Sequence, residues 1–194
     1  RVDTNGPVDG GSLYSETATG EMPGLLPGDY YVIVRSDIRN QQTETNEGNN
    51  QLVSTGTVHI DVPTLTPGTP VTDTLLDAGV YSKPQTGQAF YRVDVAAGET
   101  LKFAYDSLAA SGHTELYVSY GHMPTRSAFD FAFTLADSPD QNLVVANTHA
   151  GTYYIMAYSP DANMVERINP LNEVKTYSPA PYTLAADILQ FSIT

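Results

Sequence analysis

The strongest constraint on the fold is an alternation of apolar and polar residues with a period of two, in short runs bounded by Gly, Pro, Asn and Asp. Successive side chains of a β-strand point to opposite faces, so this period is typical of strands with one buried face. The clearest runs are DYYVIVRSD, AFYRVDVAAG, TLKFAYD, TELYVSY and GTYYIMAY, and residues 51–61 and 181–193 also read as strands. No segment has the period of an amphipathic helix. The sequence therefore predicts an all-β chain of the sandwich type.

The same alternation assigns a buried and an outer face to each predicted strand. The residues predicted to face inward are Tyr91, Val93, Val95, Leu101, Phe103, Tyr105, Leu116, Val118, Tyr120, Tyr153, Ile155 and Ala157. The outer face then carries three tyrosines, Tyr117, Tyr154 and Tyr158. Tyrosine combines apolar area with a polar tip, which suits glycan stacking and protein contacts. An exposed ligand-binding row is one interpretation of these tyrosines, and cross-strand pairs that stabilise the sheet are the other.

A proline-rich segment, PTLTPGTP, separates the strand pattern into two parts. Proline cannot donate to a strand ladder and stiffens the chain, so residues 63–70 are predicted to be a short linker. The predicted organisation is therefore a first module at 1–62, the linker at 63–70 and a second module at 71–194. The segment 159–181 has no clear alternation and is predicted to be a long loop.

Charge and cysteine content exclude several classes of function. The chain has 22 acidic and 9 basic residues, a net charge of −13, which opposes binding to nucleic acid or to anionic membranes. It has no cysteine, so disulfides and thiolate chemistry are absent. No apolar run is long enough to insert into a membrane, and the start, RVDTNGPVDGG, has no signal-peptide pattern. We expect an internal piece of a longer precursor.

Residues 11–52 carry a motif in which Gly28 and two tyrosines precede a valine-rich strand, followed by Asp37 and a polar hairpin that ends in two asparagines. This pattern resembles CARDB, the cell-adhesion-related domain of bacteria. The resemblance implies the second half of a seven-stranded immunoglobulin-like sandwich. A half sandwich exposes an uncovered apolar face and unpaired strand edges, so self-association or contact with neighbouring domains of the precursor is expected.

Residues 67–194 resemble the bacterial pre-peptidase C-terminal (PPC) domain. The resemblance depends on TPVTDTL, FYRVDVAAGETLKF, TELYVSYGHMPTRSAFD, QNLVVANTHAGTYYIMAY and YTLAADI, in that order. It implies a jelly-roll-like β-sandwich, usually a non-catalytic appendage of secreted peptidases and large surface proteins. Some relatives bind calcium, collagen or other fibrous substrates.

The polar stretch TETNEGNN has two interpretations. Its asparagines and glycine suit a tight, solvated turn, since Asn tolerates left-handed backbone and caps nearby N–H groups. Alternatively, Asp37, Glu44, Glu47 and Asn49 converge as oxygen ligands of a calcium ion, the only cofactor that the sequence suggests. The spacing is not that of an EF-hand.

No catalytic motif is present. The chain has neither H-E-x-x-H nor G-x-S-x-G, and its histidines, His59, His113, His122 and His149, have no recognisable arrangement. Arg126 is expected to form a surface ion pair with Asp130. The sequence therefore predicts a non-enzymatic structural or adhesion segment of a large exported bacterial protein, located at the cell surface or outside the cell. The alternatives are a module that binds a polymer such as collagen or a glycan, and, less favoured, a hydrolase built from loops.

Overall fold

The computed structural model describes residues 24–36, 38–39, 46–75, 87–108, 113–159, 165–169, 172–177 and 180–190. The described residues are all-β, as the sequence predicts. Their strands are β1 (Gly28–Arg35), β2 (Gln51–Ile60), β3 (Val71–Leu75), β4 (Gln88–Val95), β5 (Thr100–Ser107), β6 (Glu115–Tyr120), β7 (Phe131–Phe133), β8 (Gln141–Val145), β9 (Gly151–Tyr158), β10 (Val165–Asn169), β11 (Asn172–Tyr177) and β12 (Ala180–Leu189). No helix among them is long and apolar enough to cross a membrane.

The strands β1 and β2 form one antiparallel hairpin. Its register runs from Gly28 opposite Ile60 to Arg35 opposite Gln51, with an irregularity between Tyr31 and Ile33. A single 3-10 turn, Glu47–Asn49, leads into β2. Almost every residue of the two strands is exposed.

Eight of the described strands form a sandwich of two four-stranded antiparallel sheets. One sheet has the strand order β3-β12-β5-β8 and the other β4-β9-β6-β7. The core between them is formed by the residues that the alternation places inward, together with Leu65, Leu75, Leu143, Val145, Tyr182, Leu184 and Ala186. Tyr120 is the exception to the predicted inward set, because it lies at the end of β6 and is 38% exposed. The period-two pattern is therefore confirmed for the inward-facing residues of β4, β5, β6 and β9.

The proline-rich segment 63–70 packs against the sandwich and does not run free as a linker. Leu65 is 1% exposed within the core, and its N–H donates to the carbonyl of Arg92 at 2.7 Å. The Arg92 N–H donates in turn to the carbonyl of Pro63 at 2.9 Å. The segment therefore runs parallel along β4 and covers the open edge of that strand. The predicted linker overlooked Leu65, whose burial fixes the segment in place.

The segment predicted to be a long loop, 159–181, contains a β-hairpin. β10 and β11 pair antiparallel from Val165 opposite Tyr177 to Asn169 opposite Asn172. The prediction of an irregular loop is wrong for these residues. The backbone pairs although the sequence between Val165 and Tyr177 lacks a clear apolar alternation.

Candidate functional site

The segment between β6 and β7, GHMPTRSAFD, folds back over the outer face of its own sheet. Gly121 begins it with φ of +70°, a left-handed backbone that glycine adopts without a steric penalty. Thr125 and Ala128 exchange backbone hydrogen bonds of 2.8 and 3.3 Å, which closes a tight turn with Arg126 at its tip. Asp130 then accepts a hydrogen bond from the Tyr120 N–H at 2.8 Å. The turn thereby places Arg126 above the sheet.

Arg126 meets a buried carboxylate, Glu115, at the start of β6. The Arg126 Nε and Nη2 atoms donate to Glu115 Oε2 and Oε1 at 2.7 and 2.8 Å, a two-bond guanidinium–carboxylate pair. The Tyr117 hydroxyl donates to Oε2 at 2.7 Å, and His113 Nε2 lies 3.1 Å from Oε1. The guanidinium carbon of Arg126 lies 4.5 Å from the ring centroid of Tyr158. We name His113, Glu115, Tyr117, Arg126 and Tyr158 the Glu115 cluster.

The electrostatics of the Glu115 cluster keep Glu115 ionised. Burial alone would raise the pKa of its carboxyl, but hydrogen bonds from Arg126, Tyr117 and His113 outweigh burial and hold the pKa below its ordinary value. The pKa of Arg126 is raised, chiefly by its hydrogen bonds to Glu115. Burial raises the pKa of Tyr117, and its hydrogen bond to Glu115 raises it further. The cluster is therefore a charged pair at neutral pH with a protonated phenol beside it.

His113 is held between Glu115 and the turn before β8. The Asp137 N–H donates to His113 Nδ1 at 3.4 Å, so we assign the ring proton to Nε2, which then donates to Glu115. The carbonyl of His113 accepts a hydrogen bond from the Ser159 hydroxyl at 2.9 Å. The two carboxylate oxygens of Glu115 thus accept from four donor atoms, and none of their capacity is left for a substrate or a metal ion.

The tyrosines predicted to form an exposed row belong to this covered surface. Tyr117 is 5% and Tyr154 is 9% exposed, and Tyr158 is half-buried beneath Arg126. The three side chains do lie on the face opposite the core, so the alternation is right about the face. The expected exposure is wrong for Tyr117 and Tyr154. For Tyr117 the reason is the returning turn, since Phe129 packs on Tyr117 with ring centroids 5.0 Å apart.

Two polar features of this region were missed from the sequence. Arg126 pairs with Glu115 and not with Asp130 as predicted, because the turn points Arg126 back towards β6. Gln141 is fully buried, and its Nε2 atom donates to the carbonyls of Thr114, Ser138 and Leu135 at 2.8, 3.2 and 3.3 Å. Its Oε1 accepts from the Leu135 N–H at 3.1 Å. The sequence did contain a signal for the burial of Gln141, because Gln141 alternates with Leu143 and Val145 on the inward face of β8.

A second polar group lies inside the sandwich, where hydroxyls of β4 and β12 meet. The Tyr91 hydroxyl donates to Asp73 Oδ2 at 2.8 Å and lies 2.5 Å from the Tyr182 hydroxyl. Burial raises the pKa of Tyr91 and of Tyr182 well above the ordinary value of a phenol. Tyr105 stacks on Tyr182 with centroids 4.8 Å apart, and its buried hydroxyl finds no hydrogen-bond partner among the residues that the structure describes. These phenols therefore stay protonated and act as internal hydrogen-bonding groups.

The residues predicted to bind calcium are only partly described. Asp37 and Glu44 lie outside the described residues, and so does the side chain of Glu47, whose backbone begins the 3-10 turn. Asn49 is exposed in that turn. The neighbouring asparagines serve the turn itself, since Asn46 accepts from the Gly48 N–H at 3.0 Å and Asn50 accepts from the Ser36 hydroxyl at 3.0 Å. The calcium site stays a prediction.

One cleft, of about 300 Å³, lies where the hairpin meets the sandwich. Its walls are mostly apolar, with Phe90 and Met123 on the sandwich side, and its ionisable residues are His59 and Asp61. His59 is already 2.8 Å from Asp29. Within the described ranges, no three His, Cys, Asp or Glu side chains stand close enough together to hold a metal ion.

The comparison with protein families matches residues 87–159 to the bacterial pre-peptidase C-terminal domain. The matched segment begins directly before β4 and ends directly after β9, and it contains the whole Glu115 cluster. Its two ends are joined, because the Ser159 N–H donates to the Gly87 carbonyl at 2.9 Å. The match supports the predicted PPC resemblance over these residues, whereas the CARDB resemblance of residues 11–52 stays a prediction. No curated protein matches the sequence.

The comparison with solved structures matches this chain to proteins of three bacteria. The pre-peptidase C-terminal domain of a collagenase from Bacillus anthracis is 11% identical, with 66% of this chain and 95% of that chain covered and a TM-score of 0.44. The periplasmic g-type lysozyme inhibitor PliG of Aeromonas hydrophila is 16% identical, with coverages of 66% and 97% and a TM-score of 0.39. The surface-associated copper-binding protein CorA of Methylomicrobium album BG8 is 10% identical, with coverages of 67% and 98% and a TM-score of 0.43.

Proposed function

We propose that this chain is a non-catalytic segment of an exported bacterial protein, located at the cell surface or outside the cell, and that its role is structural or adhesive. The family match over residues 87–159 supports a domain that accompanies other activities. The net charge of −13 supports a well-solvated module without nucleic-acid or membrane partners.

The observation that carries this proposal is that the hydrogen-bond acceptor capacity of the Glu115 carboxylate is fully used within the protein. An acid or base catalyst needs a free lone pair or proton within reach of a substrate. Both oxygens of Glu115 accept hydrogen bonds from Arg126, Tyr117 and His113, and the Glu115 side chain is 8% exposed. The ionisable groups of the Glu115 cluster therefore stabilise the fold, because their hydrogen-bonding capacity is used within the cluster.

The test is a comparison of turnover between the intact chain and a variant that breaks the cluster. We expect no hydrolysis of casein, gelatin, nitrophenyl esters or nitrophenyl glycosides by the wild-type chain above buffer. Glu115→Gln and the matched control Asp106→Asn, an exposed carboxylate of β5, should be equally inactive. Turnover that Glu115→Gln abolishes and Asp106→Asn retains would contradict the proposal.

The same preparations separate a structural role from polymer binding. A chain labelled with a fluorophore is incubated with insoluble collagen, peptidoglycan and cellulose, and the bound fraction is measured after washing. A structural segment leaves the label in solution on all three polymers. Retention on one polymer, lost when the chain is first unfolded by heat, would instead support the polymer-binding alternative.

A further inference from the structure

The edges of the sandwich differ in how they are protected. An edge strand presents unpaired backbone N–H and C=O groups that another strand can bind, and native proteins cover or charge such edges. Residues 63–65 pair with the middle of the edge strand β4 at Arg92, and the edge strand β3 carries the charged Asp73 in its middle. The edge strand β7 has the sequence FAF, and among the described residues no further strand pairs with its outer side.

β7 exposes large apolar side chains on one side. Phe131 and Phe133 are 36% and 38% exposed, and Leu135, two residues further on, is 57% exposed. Phe131 stands opposite Val118 and Phe133 opposite Leu116 on β6. Directly paired residues of antiparallel strands share a face, so the two phenylalanines point to the core side of the sheet at its rim. We name Phe131, Phe133 and Leu135 the phenylalanine ridge.

The backbone that carries the ridge is firmly held. The Asp130 N–H donates to the carbonyl of Val118 at 3.1 Å, before β7 begins. After β7, Leu135 is fixed through both its N–H and its carbonyl by the buried side chain of Gln141. Because both ends of the strand are anchored, binding here would not first require ordering of the edge.

The charge around the ridge is of one sign. Residues 127–145 contain Asp130, Asp137 and Asp140 but no lysine or arginine. All three aspartates are described and lie at the surface of the turns that flank the ridge. The nearest preceding arginine, Arg126, is already neutralised by Glu115. The edge therefore combines apolar side chains with a stretch of chain that carries three aspartates and no basic residue, two of these aspartates also accepting backbone hydrogen bonds from Tyr120 and Ser107.

We propose that β7 is a docking site for an extended basic peptide segment of a partner protein, which adds a fifth strand to the sheet β4-β9-β6-β7. Strand addition supplies backbone hydrogen bonds for affinity and side-chain positions for specificity. Apolar side chains at alternate positions of the peptide cover Phe131 and Phe133. Its intervening lysines or arginines face the aspartates and water. The short edge makes this interaction weak, because the interface that one added strand can form here is small.

The proposal goes beyond the structural role and does not depend on it. The test is a titration of the ¹⁵N-labelled 194-residue chain with the amidated peptide Lys-Val-Lys-Val-Lys-Val-Lys, followed by amide chemical shifts. We expect saturable shifts concentrated in residues 130–135 and in β6. The peptide Lys-Val-Lys-Pro-Lys-Val-Lys has the same charge but a central proline that cannot pair as a strand, and it should bind about tenfold more weakly, roughly 1.4 kcal/mol.

The protein variant that tests the ridge is Phe131→Thr combined with Phe133→Thr, which keeps β propensity and removes the apolar contact. It should lose most of the binding, while the control Val144→Thr, an exposed apolar residue of β8, should keep it. Equal binding of both lysine peptides with shifts scattered over acidic residues, or no saturable shift at all, would overturn the proposal. So would dimerisation of the peptide-free chain through β7, since the occupant would then be a second copy.

Discussion

The β1–β2 hairpin and the sandwich are built from similar strands but treat their apolar residues in opposite ways. In β1, Tyr31, Val32, Ile33 and Val34 are 48–62% exposed, whereas Tyr91, Val93 and Val95 of β4 are 0–8% exposed. The difference lies in what surrounds each strand, since β4 faces a second sheet, whereas β2 is the one strand that pairs with β1 in the described part of the chain. Strand propensity is therefore common to both regions, and burial depends on the presence of a covering layer.

The largest test of this comparison is one truncation in each region. Phe103→Ala, at a fully buried core position, should lower the free energy of unfolding by about 3–5 kcal/mol through lost transfer energy and a new cavity. Ile33→Ala, at a 54% exposed position, should cost less than about 1 kcal/mol. Urea denaturation followed by tyrosine fluorescence measures both. A cost for Ile33→Ala close to that of Phe103→Ala would show that the hairpin is covered in solution.

A substitution in the Glu115 cluster should give the second-largest loss in the free energy of unfolding. Glu115→Gln should cost about 1–3 kcal/mol at pH 7, because charge-assisted hydrogen bonds are weakened at a buried site. The folded pKa of Glu115 is depressed, so its ionised form contributes stability above its unfolded pKa of about 4.3, and that contribution is lost as pH falls through the folded pKa. The difference between wild type and Glu115→Gln should therefore shrink between pH 5 and the acid limit. A difference that stays constant down to pH 3 would refute this assignment.

Two buried phenols of the sandwich allow a matched comparison. Tyr182→Phe removes a hydroxyl that is bonded to Tyr91 and should cost about 1 kcal/mol. Tyr105→Phe removes a buried hydroxyl without a partner among the described residues, so it should be neutral or stabilising. Thermal unfolding of the two variants under identical conditions measures the contrast. Equal losses in both would mean that Tyr105 has a partner such as an ordered water.

The exposed apolar residues of the β1–β2 hairpin favour the self-association that we predict from the CARDB resemblance. β1 and β2 together contain only Asp29 and Arg35 as charged side chains, apart from His59, so little charge opposes contact between copies. We expect concentration-dependent association by sedimentation velocity, and Ile33→Lys should abolish it through desolvation of the added charge. Phe131→Thr, in the sandwich, serves as the control and should leave it unchanged. A monomer at every concentration would contradict this prediction.

Calcium binding by the acidic turn of the first module gives the smallest expected effect. A weak site of the extracellular type, filled at a few millimolar calcium, stabilises the folded state by about 1 kcal/mol. The melting temperature should rise slightly with calcium, return with excess chelator, and rise less in Asn49→Ala. An identical melting curve with calcium and with chelator would leave the solvated-turn interpretation of TETNEGNN.

The sequence predicted the interior of the sandwich because a strand has one geometric period and the core selects one face of it. It placed Tyr117, Tyr154 and Tyr158 on the correct outer face. It could not predict that this face would be covered, because the cover is the turn around Arg126, and the path of a turn depends on φ at Gly121 and on contacts far along the chain. Leu65 and Gln141 were missed for a related reason, since each is a single residue whose burial depends on tertiary contacts.

The pairing of β3 with β12 determines how the sandwich responds to a pulling force. Val71, the first residue of β3, lies opposite Leu184, and β12 continues beyond that pair to Leu189. Because the two strands are antiparallel, the chain enters β3 and leaves β12 at the same end of their ladder. Once the contact of Leu65 with β4 is broken, tension between these two points opens the β3–β12 ladder one residue pair at a time instead of shearing all pairs together. Because the chain enters and leaves at the same end of this ladder, the folded sandwich adds little to the end-to-end length of a polypeptide under tension.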